Sequence, residues 1–252
     1  MDRENYTMLC DFYEFTMSNG YFQNGMKDLI CYFDVFFRSV PDSGSYAIAC
    51  GLEFVIDYIK NLKFTDEDIK YLESKKFFSK EFLDYLKDFK FSGDIYAVKE
   101  GSVVFPHEPL IVVKAKAIEA QLIETYLLLI MNHQSLIATK TNRIVRAANG
   151  RAVMEFGARR AQGSSASILG ARSAYIAGAI GTSNAQADRD YGVPAIGTMA
   201  HSWVQMFDSE YEAFRVYCET YPENATLLVD TYNVLQSGVP NAIRVFKEVL
   251  WP

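Results

Sequence analysis

One pattern in the second half of the chain constrains its fold more than any other. A few apolar residues run into a glycine or an acidic group, and a helix-forming stretch rich in Ala, Ser, Leu and Arg follows. The pattern occurs at VMEFG (residues 153–157), AIGTSN (179–184) and VPAIGTMAHS (193–202), with TLLVD (226–230) as a fourth instance. Near-continuous apolar strands alternating with helices imply a parallel sheet covered on its outer face. Asn149-Gly150, Tyr191-Gly192-Val193-Pro194 and Tyr221-Pro222 mark the boundaries between units. The predicted strands are residues 152–156, 179–182, 195–198 and 226–230. Four such units are half of the eight that close a barrel.

The residues before this repeat read differently. CYFDVFF (31–37) and SYAIACG (45–51) are β-branched and aromatic enough for strands. Thr65 with Asp68 forms a capping box ahead of Ile69 and Leu72. Ser79 caps a helix carrying Phe82, Leu83 and Leu86 on one side. Residues 94–99 and 110–114 are two further strands around the turn-rich GSVVFPHEP. From Ala117 the texture becomes one or two long helices, closed by Gly150 as a C-cap. This gives a mixed α+β N-terminal domain over 1–116, then linker helices and a partial α/β barrel over 117–252. The last helix places Ala242, Val245, Phe246, Val249 and Leu250 on one stripe and runs into Trp251-Pro252.

Composition narrows the partners. A formal net charge of −6 opposes binding to nucleic acid, which depends on a basic surface, but leaves room for a local basic pocket holding a small phosphorylated substrate. The four cysteines have no CxxC spacing, so reduced thiols are expected, with neither a disulfide framework nor a metal site. The N-terminus is acidic and interrupted, unlike a signal peptide, and no apolar run approaches the length of a membrane span. A soluble, cytoplasmic protein is expected.

The ends of successive parallel strands are where an α/β enzyme places reactive groups. Here they carry Glu155, Arg159 and Arg160 after the first strand, Thr182, Ser183 and Asn184 after the second, Thr198 and His201 after the third, and Asp230 after the fourth. Arg159 and Arg160 suit a bidentate anion site, and the GSSAS that follows opens a helix whose free N–H groups attract anions. They read equally as a solvated pair at a helix start. His201 is either a catalytic imidazole or a packing or hydrogen-bonding residue at a strand end. Tyr13 lies in an amphipathic helix whose aromatics are mostly core. No GxSxG, HExxH, P-loop or GxGxxG is present.

Taken together and in order, DFYEFTM (11–17), EFGARRAQG (155–163), GTMAHSW (197–203) and LVDTYN (228–233) resemble the N-terminal half of the nicotinate phosphoribosyltransferase family. The resemblance implies the fold: a mixed α+β N-terminal domain followed by the first half of a type II phosphoribosyltransferase α/β barrel, with sites completed across a homodimer. It also implies the reaction, in which nicotinate and phosphoribosyl pyrophosphate form nicotinate mononucleotide, the first step of NAD synthesis from nicotinate, with ATP hydrolysed alongside. On that resemblance His201 is the residue phosphorylated by ATP, Tyr13 packs on the nicotinate ring, Thr198 supplies a hydroxyl beside it, and Arg159 and Arg160 meet anionic groups of the substrates. Mg²⁺ is expected with the pyrophosphate group.

The resemblance also marks a departure. The family continues with a second barrel half, carrying a Gly- and Asp-rich phosphate-binding stretch, an arginine for the nicotinate carboxylate and a threonine for the ribose phosphate. None occurs here, and Trp251-Pro252 reads as a truncated or frameshifted end. Two other functions therefore stay open: a non-catalytic fragment acting as a binding or assembly partner, and a phosphoribosyltransferase that uses nicotinamide or quinolinate. A quinolinate enzyme is disfavoured because its family lacks a DFYEFTM-like start.

Overall fold

The computed structural model describes residues 5–250. The side chain of Leu250, expected on the C-terminal stripe, and the Trp251-Pro252 end lie outside the described residues. The chain divides into two compact units, Met1–Ala195 and Ile196–Pro252. The expected domain boundary at 116/117 falls inside the first of these, where a strand gives way to a helix.

The first unit opens with α1 (Phe12–Gln23), β1 (Ile30–Phe36), β2 (Ala47–Ile48), α2 (Leu52–Asn61), α3 (Asp66–Ser74), α4 (Lys80–Lys87), β3 (Asp94–Ala97), β4 (Val103–Val104) and β5 (Pro109–Lys116). The longest strands pair with one another. β1 lies antiparallel to β5 from Ile30↔Lys116 to Phe36↔Pro109, with an irregularity between Val35 and Phe36, and β3 pairs with the other side of β5. β5 is central, so Leu110, Ile111, Val113 and Ala115 are buried on it, whereas β1 alternates exposed and half-buried residues. β2 and β4 form a separate antiparallel pair. The expected caps form: Asp68 N–H donates to Thr65 Oγ1 while Thr65 N–H donates to Asp68, and Phe82 N–H donates to Ser79.

The long helical run resolves into α5 (Ala117–Gln121) and α6 (Glu124–Ala147), separated at Leu122 and Ile123. Asn149 and Gly150 both take positive φ after α6, as the expected C-terminal stop requires. Phe15, Val55, Leu72, Phe82, Leu86, Ile111, Ile118, Ile123 and Leu127 join one hydrophobic core beneath the sheet. The repeat follows with β6 (Met154–Glu155), a 3-10 turn (Ala158–Arg160), α7 (Ser164–Ile176), β7 (Gly181–Thr182) and α8 (Ala185–Tyr191). β6 and β7 are parallel, as the strand–helix alternation predicts, and Ala195 adds a single parallel bridge to Thr182. The third expected strand is thus reduced to that bridge.

The second unit holds α9 (His201–Gln205), α10 (Glu210–Thr220), α11 (Val239–Val245) and π-helical turns at Val234–Gly238 and Phe246–Leu250. Its small core gathers Val204, Ala213, Phe214, Cys218, Ala242 and Val245. The expected fourth strand, residues 226–230, joins no ladder among the described residues, although Leu227 and Val229 do pack against this core. Its apolar residues are satisfied by helices on the same unit rather than by a strand partner.

Candidate functional site

The chemistry expected in the first unit sits on two elements. Strand β6 ends at Glu155, and the chain turns at Gly157 into the 3-10 segment bearing Arg159 and Arg160. Both arginines are exposed, and neither side chain has a hydrogen bond or ion pair with another described residue. Glu155, the acid nearest to them in sequence, directs its oxygens elsewhere: Oε1 accepts the Gly157 N–H and Oε2 accepts the Thr182 hydroxyl at 2.7 Å. Thr182 Oγ1 also accepts Asn184 N–H, and Asn184 caps α8 by accepting from Gln186 and Ala187 N–H. The polar groups expected at the first two strand ends therefore meet, and they leave a paired guanidinium surface free in front of the thirteen-residue helix α7. Two unpaired arginines beside free helix N–H groups can hold a phosphate or a carboxylate.

Tyr13 lies in the first turn of α1 and keeps 45% of its surface exposed. Its hydroxyl donates to Glu124 Oε1 at 3.0 Å, and Gln121 Nε2 donates to the other oxygen at 2.8 Å. Partial burial of the hydroxyl, then the bond to Glu124, push its pKa up to about 12, so the ring stays neutral at physiological pH. Beside it on the helix Glu14 is fully buried. Thr125 donates to Glu14 Oε1 through both its N–H and its hydroxyl, and Cys10 donates to Oε2. Burial raises the Glu14 pKa above the ordinary carboxylate value, against those three bonds, with the Glu124 charge adding to the rise. Burial and the neighbouring Glu14 likewise push the Cys10 thiol up, which favours its protonated form. The ring of Tyr13 is thus one face of an acid-rich junction between α1 and the start of α6, with an aromatic surface left open.

In the second unit Thr198 is exposed, and its hydroxyl donates to the Met199 carbonyl at 3.3 Å. His201 is exposed at the start of α9, and its Nδ1 lies 3.3 Å from Thr231 Oγ1. That bond brings the GTMAHS and LVDTYN stretches together. His201 is not a packing residue: the core of this unit is built by its neighbours Val204 and Trp203, whose indole N–H donates to the Ala213 carbonyl.

Sequence reasoning missed four contributors. Glu124, Thr125 and Thr231 carry no local signal, because their partners are distant in the chain. Phe156, 44% exposed between Glu155 and the arginine turn, could have been found as an exposed aromatic inside EFGARR at a strand end. Among the described residues no helix is long and apolar enough to cross a membrane, and no group of three or more His, Cys, Asp and Glu side chains is placed to hold a metal ion.

The family models and the curated relatives point to one family. Residues 8–132 match the nicotinate phosphoribosyltransferase (NAPRTase) N-terminal domain, and residues 151–235 match the nicotinate phosphoribosyltransferase (NAPRTase) family. The nicotinate phosphoribosyltransferase pncB2 of Mycobacterium tuberculosis is 45% identical over 242 residues, covering 96% of this chain and 52% of the relative. The Bacillus subtilis nicotinate phosphoribosyltransferase is 43% identical over 238 residues, covering 94% of this chain and 48% of the relative. The chain spans about half the length of the curated relatives it matches. In structure it is similar to human nicotinic acid phosphoribosyltransferase, with a TM-score of 0.85 at 28% identity over 95% of this chain and 58% of that one. A nicotinate-nucleotide pyrophosphorylase from Pyrococcus furiosus shares the fold, with a TM-score of 0.77 at 22% identity over 98% of this chain and 57% of that one. The expected fold class, a mixed α+β part followed by strand–helix units of a type II phosphoribosyltransferase, holds.

Proposed function

The chain belongs to the nicotinate phosphoribosyltransferase family, and from that premise we propose that it serves the transfer of a phosphoribosyl group from phosphoribosyl pyrophosphate to nicotinate. The observation that carries this reading is the unpaired Arg159 and Arg160 on a turn pinned at the end of β6. Breaking the bond between the ribose carbon and the pyrophosphate oxygen leaves an oxocarbenium-like sugar and a strongly anionic leaving group. Fixed guanidinium groups favour the leaving group more as its charge grows, and so act on the transition state rather than on the substrate. The nicotinate ring nitrogen then forms the new bond to that carbon, giving nicotinate mononucleotide. Tyr13 offers its open ring face to the pyridine, and Thr198 offers a hydroxyl. Mg²⁺ enters as the counter-ion of the substrate's pyrophosphate, in keeping with its preference for phosphate oxygens and few protein ligands.

His201 is the proposed acceptor of phosphate from ATP. A neutral ring nitrogen forms a bond to the terminal phosphorus as the bond to the ADP oxygen breaks, and the ring gives up its N–H proton. An exposed imidazole held by one hydroxyl is compatible with that attack. The working assembly is a cytoplasmic homodimer. Incubation of a complete version of the protein with ATP should place an acid-labile phosphate on His201, and His201→Ala should abolish the label while the melting temperature is kept. A label that persists in that variant sinks the assignment.

A further inference from the structure

Glu155 looks out of place, a carboxylate at the end of the strand that delivers two arginines to an anion. Its negative charge opposes anion binding by Coulomb's law, and an ion pair with Arg159 or Arg160 would cancel the surface outright. The structure shows neither oxygen spent in that way. Oε1 takes the N–H of Gly157, the residue on which the chain turns, and Gly157 O in turn accepts the Arg160 N–H at 2.8 Å. Oε2 takes the hydroxyl of Thr182, which is fully buried on the neighbouring strand β7. The Glu155 carbonyl accepts Ser183 N–H at 3.0 Å, so main chain and side chain of one residue tie β6 to the β7 end. The fit is tight as well: a Cβ added at Gly157 would lie 2.8 Å from Glu155 Oε1.

We infer that Glu155 is a positioning residue whose carboxylate, anchored to Thr182, holds the Gly157 turn so that Arg159 and Arg160 face outward for an anionic phosphoryl group of the substrate. The carboxylate favours binding by geometry while it opposes binding by charge, and the geometric effect is the larger because both of its oxygens are committed to the turn and its neighbour. A fixed turn also means that the arginines lose less conformational freedom when the anion arrives. Thr182 belongs to the same device: it supplies the hydroxyl that keeps Oε2 away from the guanidinium groups.

This inference rests on the proposed anion site at Arg159 and Arg160, and the two are separable with inorganic pyrophosphate as the probe. Its binding to the 252-residue chain is measured by titration calorimetry at fixed ionic strength, with thermal melts confirming that each variant is folded. Arg159→Ala and Arg160→Ala are expected to raise the Kd about tenfold each. Glu155→Ala is expected to raise it roughly three- to tenfold although it removes a negative charge, and Glu155→Gln, which still accepts the Gly157 N–H, should stay within about threefold of the parent. Thr182→Val should weaken binding in the same direction and add nothing to Glu155→Ala, because both break one linkage. If the arginine variants weaken binding while Glu155→Ala binds equally or more tightly, charge alone governs and the positioning role is wrong. If the arginine variants bind like the parent, or the parent binds no pyrophosphate, the anion site fails and the positioning role falls with it.

Discussion

Glu14 and Glu100 are both withdrawn from water and both accept several hydrogen bonds, yet their pKa values move in opposite directions. Glu14, between α1 and α6, accepts from Thr125 N–H, Thr125 Oγ–H and Cys10 Sγ–H, all neutral donors, and has the acid Glu124 nearby. Glu100, in the turn after β3, accepts Gly51 N–H at 2.6 Å and is gripped by Arg172 of α7, at 3.1 Å on Oε1 and 2.8 Å on Oε2. Burial pushes both upward. At Glu100 the Arg172 hydrogen bonds, the Gly51 N–H and the Arg172 charge outweigh it, so the pKa falls below the ordinary value; at Glu14 neutral donors do not, and it rises. At these two sites neutral donors do not offset the effect of burial, whereas the nearby guanidinium does. Arg172 also bonds Glu53 and stands 5.2 Å over the Phe54 ring, so one guanidinium joins α7 to the start of α2.

The contrast is open to direct attack. The largest effect is expected from Arg172→Met, which leaves Glu100 without its cation. It should lower unfolding free energy at neutral pH by about 3 kcal/mol in urea titrations, since breaking a buried pair strands the remaining charge. A loss well under 1 kcal/mol would mean that the pair is a bystander. The acid limb checks the sign. A carboxylate whose folded pKa lies below its value of 4.5 in the unfolded chain contributes stability above that value, and loses it as pH falls through the folded pKa. The slope of stability against pH on that limb should therefore flatten in Arg172→Met.

Next in size is the pair of isosteric variants. Glu100→Gln exchanges a charge-assisted bond for a neutral one and should lose roughly 1–3 kcal/mol at neutral pH. Glu14→Gln should change stability by less than about 1 kcal/mol there, because Oε1 can still accept from Thr125. Its pH dependence should also run the other way. A raised folded pKa contributes stability at low pH that is lost as pH rises from the ordinary value of 4.5 through the raised one, so the parent loses this contribution over that interval while Glu14→Gln does not. Equal losses in the two variants across that range would erase the comparison.

The smallest effects concern Tyr13, at the rim of the acidic junction. Tyr13→Phe removes only the bond to Glu124 and should shift stability by about 0.5 kcal/mol at a half-exposed site. Tyr13→Ala should weaken nicotinate binding several-fold, on the order of 1 kcal/mol of stacking, in a direct titration. A collapse of thermal stability instead would make the Tyr13 ring a core element.

Much of this was legible in advance. The apolar runs of β1 and β5, the Thr65 and Ser79 caps, the stop at Asn149 and Gly150, and the parallel relation of β6 and β7 follow from interactions within a few residues or from strand–helix alternation. The strand expected at 226–230 joins no ladder among the described residues, and its Leu227 and Val229 pack against the core that α10 and α11 help to build. At the site Arg159, Arg160 and His201 are exposed, while the ties from Glu155 to Thr182 and from His201 to Thr231 were not readable.

The sequence by itself determined where the capped helices and the longest strands begin and which four motifs announce the family, because caps, periodicity and turn glycines act over one or two turns of backbone. Only the tertiary structure decided how each charged group is used. Thr125 reaches Glu14 across 111 residues and Arg172 reaches Glu100 across 72. Electrostatic and hydrogen-bond energies depend on distance and burial in space, so one carboxylate has its pKa raised, another is a salt-bridged brace and a third bonds a turn N–H and the hydroxyl of a neighbouring strand.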